Sequence, residues 1–310
     1  MNSRPRGVAL IVALLVVALA TVLIAGLLDR GELAAARTRN GLREAQAQSY
    51  AAGLEAYAAK VLMRAQEQDN GFDAADSPWA VPLPPTPVPG GTISAVMSDL
   101  DGRFNLNNLD PSADNPNATI WFNKFRQLLD ALKLDRKLDD NIVAWMSATA
   151  ATGAASDAYY LAQPIPYRAA RRHFAHVSEL RLVQGVDGDV YQALAPYVSA
   201  LPVGTTINVN TASVPVLMTL LDGLSPEMMQ QIWQQGHAHF QSLADLASAQ
   251  PALKNVALSG AFYGVRSSYF LARGQIMLDG LPFEFTSVIE RRLGGADGGV
   301  RVIQRNRGTD

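Results

Sequence analysis

Hydrophobic positions divide the chain into unlike regions. Residues 8–28, VALIVALLVVALATVLIAGLL, run for 21 positions without a charge. At about 1.5 Å per residue they make a helix of about 31 Å, the thickness of one hydrocarbon core. Residues 29–66 lose that continuous apolarity, yet they contain no proline and are rich in Ala, Leu, Glu, Gln and Arg. The helix is therefore expected to continue. Tyr50, Leu54, Tyr57 and Val61 recur at helical spacing and predict one buried face, with Arg37, Arg39 and Arg43 balanced by Glu44 and Glu55 elsewhere. A single helix over 8–66 would be about 88 Å long. Spacing alone allows two readings, a coiled-coil stalk or a spine lying partly in a membrane and partly under a sheet.

Residues 78–91, PWAVPLPPTPVPGG, hold six prolines and end the helical region. They predict a stiff extended linker in preference to a ligand for a proline-binding domain. Ile93, Ala95 and Met97 then alternate, Asp101-Gly102 marks a turn, and Phe104 and Leu106 resume the alternation, which reads as a hairpin. From 111 to 260 the period becomes helical. Trp121, Phe122, Phe125, Leu128, Leu129 and Leu132 form one helix face. Asp139-Asp140 reads as the cap of a helix carrying Ile142, Val143 and Trp145, and Ser178 as the N-cap of one begun at Glu179. Strand signals return over 261–310: Val265 to Leu278, a turn at Gly280, Phe283 to Arg292, a glycine-rich turn at 294–299, and Val300 to Arg305. The segments are thus 1–7, 8–28, 29–66, 67–110 with linker and first strands, an inserted helical domain over 111–260, and 261–310 completing the sheet. The class is α+β.

Composition narrows the function. With 48% hydrophobic residues the chain can bury a sizeable core. Its 26 Lys+Arg against 28 Asp+Glu, a net charge of −2, disfavour a strongly basic nucleic-acid binder. The absence of cysteine removes disulfides, thiolate-zinc sites, iron–sulfur clusters and thiol catalysis. There are four histidines; His173 and His176 are three apart and His237 and His239 two apart, with no third ligand at a familiar spacing. Arg168, Arg171 and Arg172 form a basic patch beside His173, read as a solvated face. Asp99, Asp101, Asp110 and Asp114 form an acidic stretch that turn and cap roles explain as well as a metal does. No P-loop, Rossmann fingerprint, HExxH or G-x-S-x-G occurs, so no enzyme is expected.

Arg4 and Arg6 precede the apolar run, which places the amino terminus in the cytoplasm. An uncleaved anchor and a secretory signal cut after Ala18-Leu19-Ala20 are both open to such a segment, although the run continues through Leu28. The leader MNSRPRG ends in Gly7 and the helix starts at once at Val8. This resembles the class III leader of type IV pilins and pseudopilins. The resemblance implies cleavage between Gly7 and Val8 by a membrane prepilin peptidase, then N-methylation. Most pilins carry Glu where this chain has Val12. A carboxylate there would need a partner in the membrane, such as a neighbouring subunit's amino terminus. Its absence resembles the minor pseudopilin K subfamily, since a tip subunit has no neighbour above it.

Residues 207–246 resemble a helix-hairpin-helix (SAM-like) module, with a turn over Leu221-Asp222-Gly223-Leu224-Ser225-Pro226. Many such modules bind DNA through turn amides. Here an acid stands in the turn and no Lys or Arg occurs between Thr205 and Gln250, so a structural use is favoured over phosphate binding. Asp101-Gly102-Arg103-Phe104-Asn105-Leu106-Asn107-Asn108-Leu109, Asp157-Ala158-Tyr159-Tyr160, Pro166-Tyr167-Arg168, the run Val177 to Val183, Pro196-Tyr197 and Ile207-Asn208-Val209-Asn210-Thr211-Ala212 occur in order. Together they resemble the general secretion pathway protein K family over essentially the whole chain. That resemblance implies a pilin-like helix and antiparallel sheet with a large helical domain inserted between strands. It also implies an inner-membrane, single-pass minor pseudopilin, with its globular part periplasmic, at the tip of the type II secretion pseudopilus, where it initiates assembly and limits length. The partners implied are other minor pseudopilins, the major pseudopilin, prepilin peptidase and the inner-membrane platform, with secreted cargo or the outer-membrane channel as further contacts and no nucleic acid. The rival readings are a membrane-anchored DNA-binding or uptake protein, a periplasmic hydrolase and a minor pilin of a related filament. Family members can bind Ca2+ through an acid-rich loop after a Trp-containing helix. This chain has Ala144-Trp145-Met146-Ser147-Ala148-Thr149 and Ser156-Asp157 there, so Asp157 is the carboxylate retained and the metal site is expected to be weak or lost.

Overall fold

The computed structural model describes residues 6–67, 71–112, 115–147, 157–220, 224–250, 253, 258–292 and 299–308. Asp114, Ala148, Thr149, Thr152-Gly153, Ser156, Leu221-Asp222-Gly223 and the turn residues 294–298 lie outside them.

Helix α1 spans Arg6–Glu67. Leu10, Val12, Leu19, Leu28 and Leu42 are all exposed along its first part. Among the described residues it is the one helix long and apolar enough to cross a membrane. Contact with the rest of the molecule begins near Arg43, and apolar packing near Ala47. The buried face is Ala47, Leu54, Ala58 and Leu62, with Tyr50, Ala51 and Val61 partly covered; Tyr57, expected inside, is 49% exposed. The reason is close approach. A Cβ on Gly274 would stand 2.9 Å from Leu54 Cδ1, so the helix rests closely on the sheet through Leu54, with Ala58 at the next turn and Tyr57 to the side.

The sheet under this half of α1 has five antiparallel strands, in the spatial order Leu83–Val88, Gly91–Asp99, Tyr269–Leu278, Leu281–Arg292 and Gly299–Arg307. Strand β1 is Leu83–Val88 and β2 is Gly91–Asp99. The expected linker therefore carries an edge strand. Pro84, Pro85 and Pro87 are tolerated because an edge needs few ladder donors, and the register slips between Leu83 and Thr86. The expected hairpin around Asp101-Gly102 does not form. Strand β2 pairs instead with β1 through Pro89-Gly90 (Gly90 φ +87°), while β3, Phe104–Asn105, runs parallel to β4, Val198–Ser199.

The chain leaves the sheet after Asp99 and returns at the partner of that position, Phe270. Between them lies the helical domain: α2 (Ala118–Ala131), α3 (Lys137–Met146), α4 (Ala158–Leu161), α5 (Gly188–Leu194), α6 (Val214–Leu217), α7 (Pro226–Trp233) and α8 (Leu243–Ala249). A short parallel pair, β5 (Ile207–Asn208) with β6 (Tyr263–Gly264), closes it. Trp121, Phe125, Leu128 and Leu129 of α2, with Ile142 and Trp145 of α3, form its centre. Phe104, Leu106, Leu109, Phe262 and Tyr263 belong to the same core. The packed core of the inserted domain thus runs from Phe104 to Val265, wider than the expected 111–260. Two cap expectations also shift. The Asp135 side chain accepts the Lys137 N–H (2.9 Å), ahead of Asp139-Asp140. His176, not Ser178, is the N-cap of a 3-10 turn over Val177–Leu182, with Glu179 reaching back to the His176 and Ala175 N–H groups.

Strand β7 is Tyr269–Leu278, β8 is Leu281–Arg292 and β9 is Gly299–Arg307. Asp279 and Gly280, both at positive φ, make the two-residue turn between β7 and β8.

Candidate functional site

The fold gives the chain three surfaces with distinct chemistry. The first is the amino-terminal half of α1. Gly7 and Val8 lie in its first turns, in helical backbone. Val12 is 52% exposed and Leu28 63%, so a long apolar surface is left for lipid or for neighbouring helices.

The second is the junction between sheet and inserted domain. Packing fixes where it lies along α1. Ala47 and Leu54 meet Ile276 and Leu278, whereas Ala58 and Leu62 meet Phe270, Ala272 and Trp79. The inserted domain springs from Asp99 and Phe270, so it stands at the end of the sheet farthest from the membrane segment. Asp73 and Asp101 are buried here and Asp99 is half-buried. Asp73 takes the guanidinium of Arg291, the Ser267 N–H (2.9 Å) and the Trp79 indole N–H (3.1 Å). Asp99 accepts from the Thr211 hydroxyl, the Ser267 hydroxyl (2.6 Å) and the Asn208 amide (3.3 Å). Asp101 accepts the Ser268 and Tyr269 N–H groups, at 2.8 and 3.1 Å. Burial pushes the Asp99 and Asp101 carboxyls above the usual range, and Asp101 well above it because the charge of Asp99 adds to the burial. The acidic stretch expected to serve turns thus divides. Asp99 and Asp101 lock two domains together, whereas Asp110 bonds Ser112 and His173 (2.8 Å) at the surface.

The buried asparagines are what residue patterns missed. Asn105, Asn107, Asn108, Asn208 and Asn210 each pair with backbone of another segment. Asn107 alone bonds both N–H and C=O of Phe174 and the carbonyl of Leu201. The signal was present as the repeated Asn in Asn105-Leu106-Asn107-Asn108 and Asn208-Val209-Asn210, polar residues at positions flanked by core residues.

The third surface is at Asp157, which precedes α4. One carboxylate oxygen accepts from Arg171 Nη2 (3.3 Å) and the Ala169 N–H (3.3 Å), the other from Arg168 Nη1 (3.2 Å). The basic patch expected to be solvated is therefore partly paired, and Arg172 meets Glu179 at 3.3 Å. The histidines stay apart in function: His239 bonds Asp76 and His176 caps a turn. Among the described residues no three His, Asp or Glu side chains are placed to hold a metal ion.

A membrane-length helix running on beneath an antiparallel sheet, with a large domain carried at the far end, defines a pilin-type membrane-anchored subunit. The profile described as type II secretion system protein K matches residues 102–203 and 207–266. Two relatives are named type II secretion system protein K. That of Pseudomonas aeruginosa is 35% identical, covering 99% of this chain and 94% of the relative. That of Pectobacterium carotovorum is 33% identical, covering 99% and 98%. The structure superposes on one chain of the crystal structure of the GspK–GspI–GspJ complex of enterotoxigenic Escherichia coli with a TM-score of 0.73 at 26% identity, covering 88% of this chain and 100% of the matched one. The chain belongs to the type II secretion system protein K family, and it is a minor pseudopilin of type II secretion.

Proposed function

We propose that this chain is the terminal subunit of the pseudopilus. Its amino terminus lies in the cytoplasm, residues 8–28 cross the inner membrane, and the sheet and inserted domain stand in the periplasm. The observation that carries this reading is the position of the inserted domain, at the membrane-distal end of the sheet where a further subunit would have to stack. A filament of such subunits grows by burying one apolar helix against others, and the exposed face from Leu10 to Leu42 supplies that surface. A subunit that offers this face below and a bulky domain above can begin a filament and cannot be buried within it. Val12 agrees, since a first subunit has no neighbour above whose amino terminus needs a carboxylate. The relative solved with GspI and GspJ supports the same company here: two other minor pseudopilins, then the major pseudopilin below. Processing between Gly7 and Val8 by the prepilin peptidase would precede assembly at the inner-membrane platform.

The test is gold labelling of an epitope placed at the exposed Ile165 in pseudopili assembled with the full set of subunits. Label at one filament end is expected; label along the length would refute the terminal position. The intact mass of membrane-extracted protein checks the route. A start at Val8 with one added methyl, dependent on the peptidase, is expected, and an unprocessed Met1 would remove the pathway.

A further inference from the structure

Asp157 is the place where family resemblance would put a calcium ion, and the side chains gathered there do not fit one. Calcium wants about six to eight oxygens, several of them charged. Asp157 instead already carries two guanidinium groups, from Arg168 and Arg171. One carboxylate with two arginines leaves a net positive site, which repels a dication. The more covered of the two, Arg171, is the informative one. Its Nη1 donates to the carbonyl of Ser147 (3.2 Å), the residue that ends α3, and its Nη2 to Asp157, the residue before α4. Its own N–H donates to Trp145 O (2.9 Å), and its backbone sits in the left-handed region at φ 54°. A side chain other than glycine holds that conformation only where surrounding contacts fix it.

We propose that the Arg171 guanidinium is the built-in cation of this site. It ties together the Ser147 carbonyl and the Asp157 carboxylate, which flank residues 148–156 and are of the two kinds of oxygen that calcium sites use. Its charge also lies at the C-terminal end of α3, where a cation is favoured. The inserted domain of this chain is then held at this point without metal.

The experiment uses the full chain in detergent, with calcium at about 1 mM, the range in which extracellular calcium modules bind. Equilibrium dialysis against radioactive calcium reads binding, and elastase cleavage within 148–156, located by mass spectrometry, reads local order. Wild type is expected to retain no calcium and to be cut at the same rate in calcium and in chelator. Arg171→Ala is expected to be cut about tenfold faster, the loss that charge-assisted hydrogen bonds at a partly covered site imply. One calcium per wild-type chain, slower cutting of wild type in calcium, or Arg171→Ala cut at the wild-type rate would each overturn the proposal. The wild-type measurements stand even if the variant does not fold.

Discussion

Arg291 is the cation best suited to a test at the domain junction, because it pairs with the buried Asp73 and is itself only 3% exposed. Replacing it with methionine keeps most of its volume and its packing on Phe270, whose ring lies 4.9 Å from the guanidinium carbon. What is lost is the charge and two bonds, to Asp73 and to the Ser267 carbonyl (2.6 Å). Breaking a buried ion pair from one side costs about 3–5 kcal/mol, because the other charge stays buried. Asp73 keeps the N–H groups of Ser267 and Trp79, which argues for the middle of that range, about 4 kcal/mol at pH 8.

The deficit should depend on pH, with a sign fixed by the neighbours. Burial already holds Asp99 and Asp101 above the ordinary carboxyl range in the folded protein. A folded carboxyl with a raised pKa binds its proton before the unfolded one does as pH falls. Stability linked to it therefore rises as pH falls through the folded pKa toward 3.8, the unperturbed value. Removing Arg291 takes the counter-ion from Asp73, whose charge already raises both carboxyls, and so should raise them further. The variant then takes up more protons than wild type and recovers up to about 1.4 kcal/mol per pH unit for each extra proton. Urea unfolding of the full chain in detergent, followed by tryptophan fluorescence, measures this directly, and Trp79 reports from the junction itself. The deficit at pH 5 should be smaller than the deficit at pH 8. A deficit below about 1 kcal/mol, or one that is the same at both pH values, would refute the argument that buried charge governs this junction.

Three further outcomes follow from the packing. Leu62→Ala, at a fully buried contact between α1, Trp79 and Phe270, should cost about 3–4 kcal/mol in the same unfolding assay. Asn107→Ala leaves the N–H and C=O of Phe174 and the carbonyl of Leu201 unpaired and should cost about 3–5 kcal/mol, whereas a surface asparagine such as Asn123 changed to Ala should cost almost nothing. In Glu55, burial raises the carboxyl pKa but bonds from Arg305 and the Ser287 hydroxyl (2.6 Å) more than offset it, so the net shift is downward. Its contribution is present above pH 4.5 and lost as pH falls through the folded value, so Glu55→Gln should destabilise modestly at pH 7 and converge with wild type in acid.

Periodicity found the long elements because they bury a face over many turns. It fixed α1, the Trp121 to Leu132 face of α2 and the three C-terminal strands nearly to their ends. It failed where the deciding partner is distant in sequence. Asp101-Gly102 carries a good local turn signal, yet Asp101 is claimed by the N–H groups of Ser268 and Tyr269, and a Cβ on Gly102 would stand 2.8 Å from the carbonyl oxygen of Thr211. The prolines of β1 hid a strand because propensity reads backbone donors and does not know which strand is an edge. The resemblance to a known family supplied what no local rule could, the insertion of one domain into another. It named Asp157 as a possible ligand, but its pairing with Arg168 and Arg171 is visible only in three dimensions.

The junction also explains how an insertion can act as part of one body. Two chain crossings, at Asp99 and Tyr269, would by themselves form a hinge. Asp73 after α1, Asp99 at the end of β2, Asn208 and Thr211 in the inserted domain, Ser267 before β7 and Arg291 in β8 are joined through one buried network. Rotation of the domain would break several of these bonds together and bring water to three carboxylates, so small displacements are resisted. Farther down, Arg305 grips Glu55, Arg307 pairs with Glu44, and Arg43 meets Asp279 (2.8 Å), which ties β9 and the turn between β7 and β8 to α1. Force applied to the membrane helix therefore reaches the distal domain through paired charges rather than through a flexible linker. The proposed terminal position would use that rigidity, because a head that pivoted would transmit neither position nor load to whatever lies beyond it.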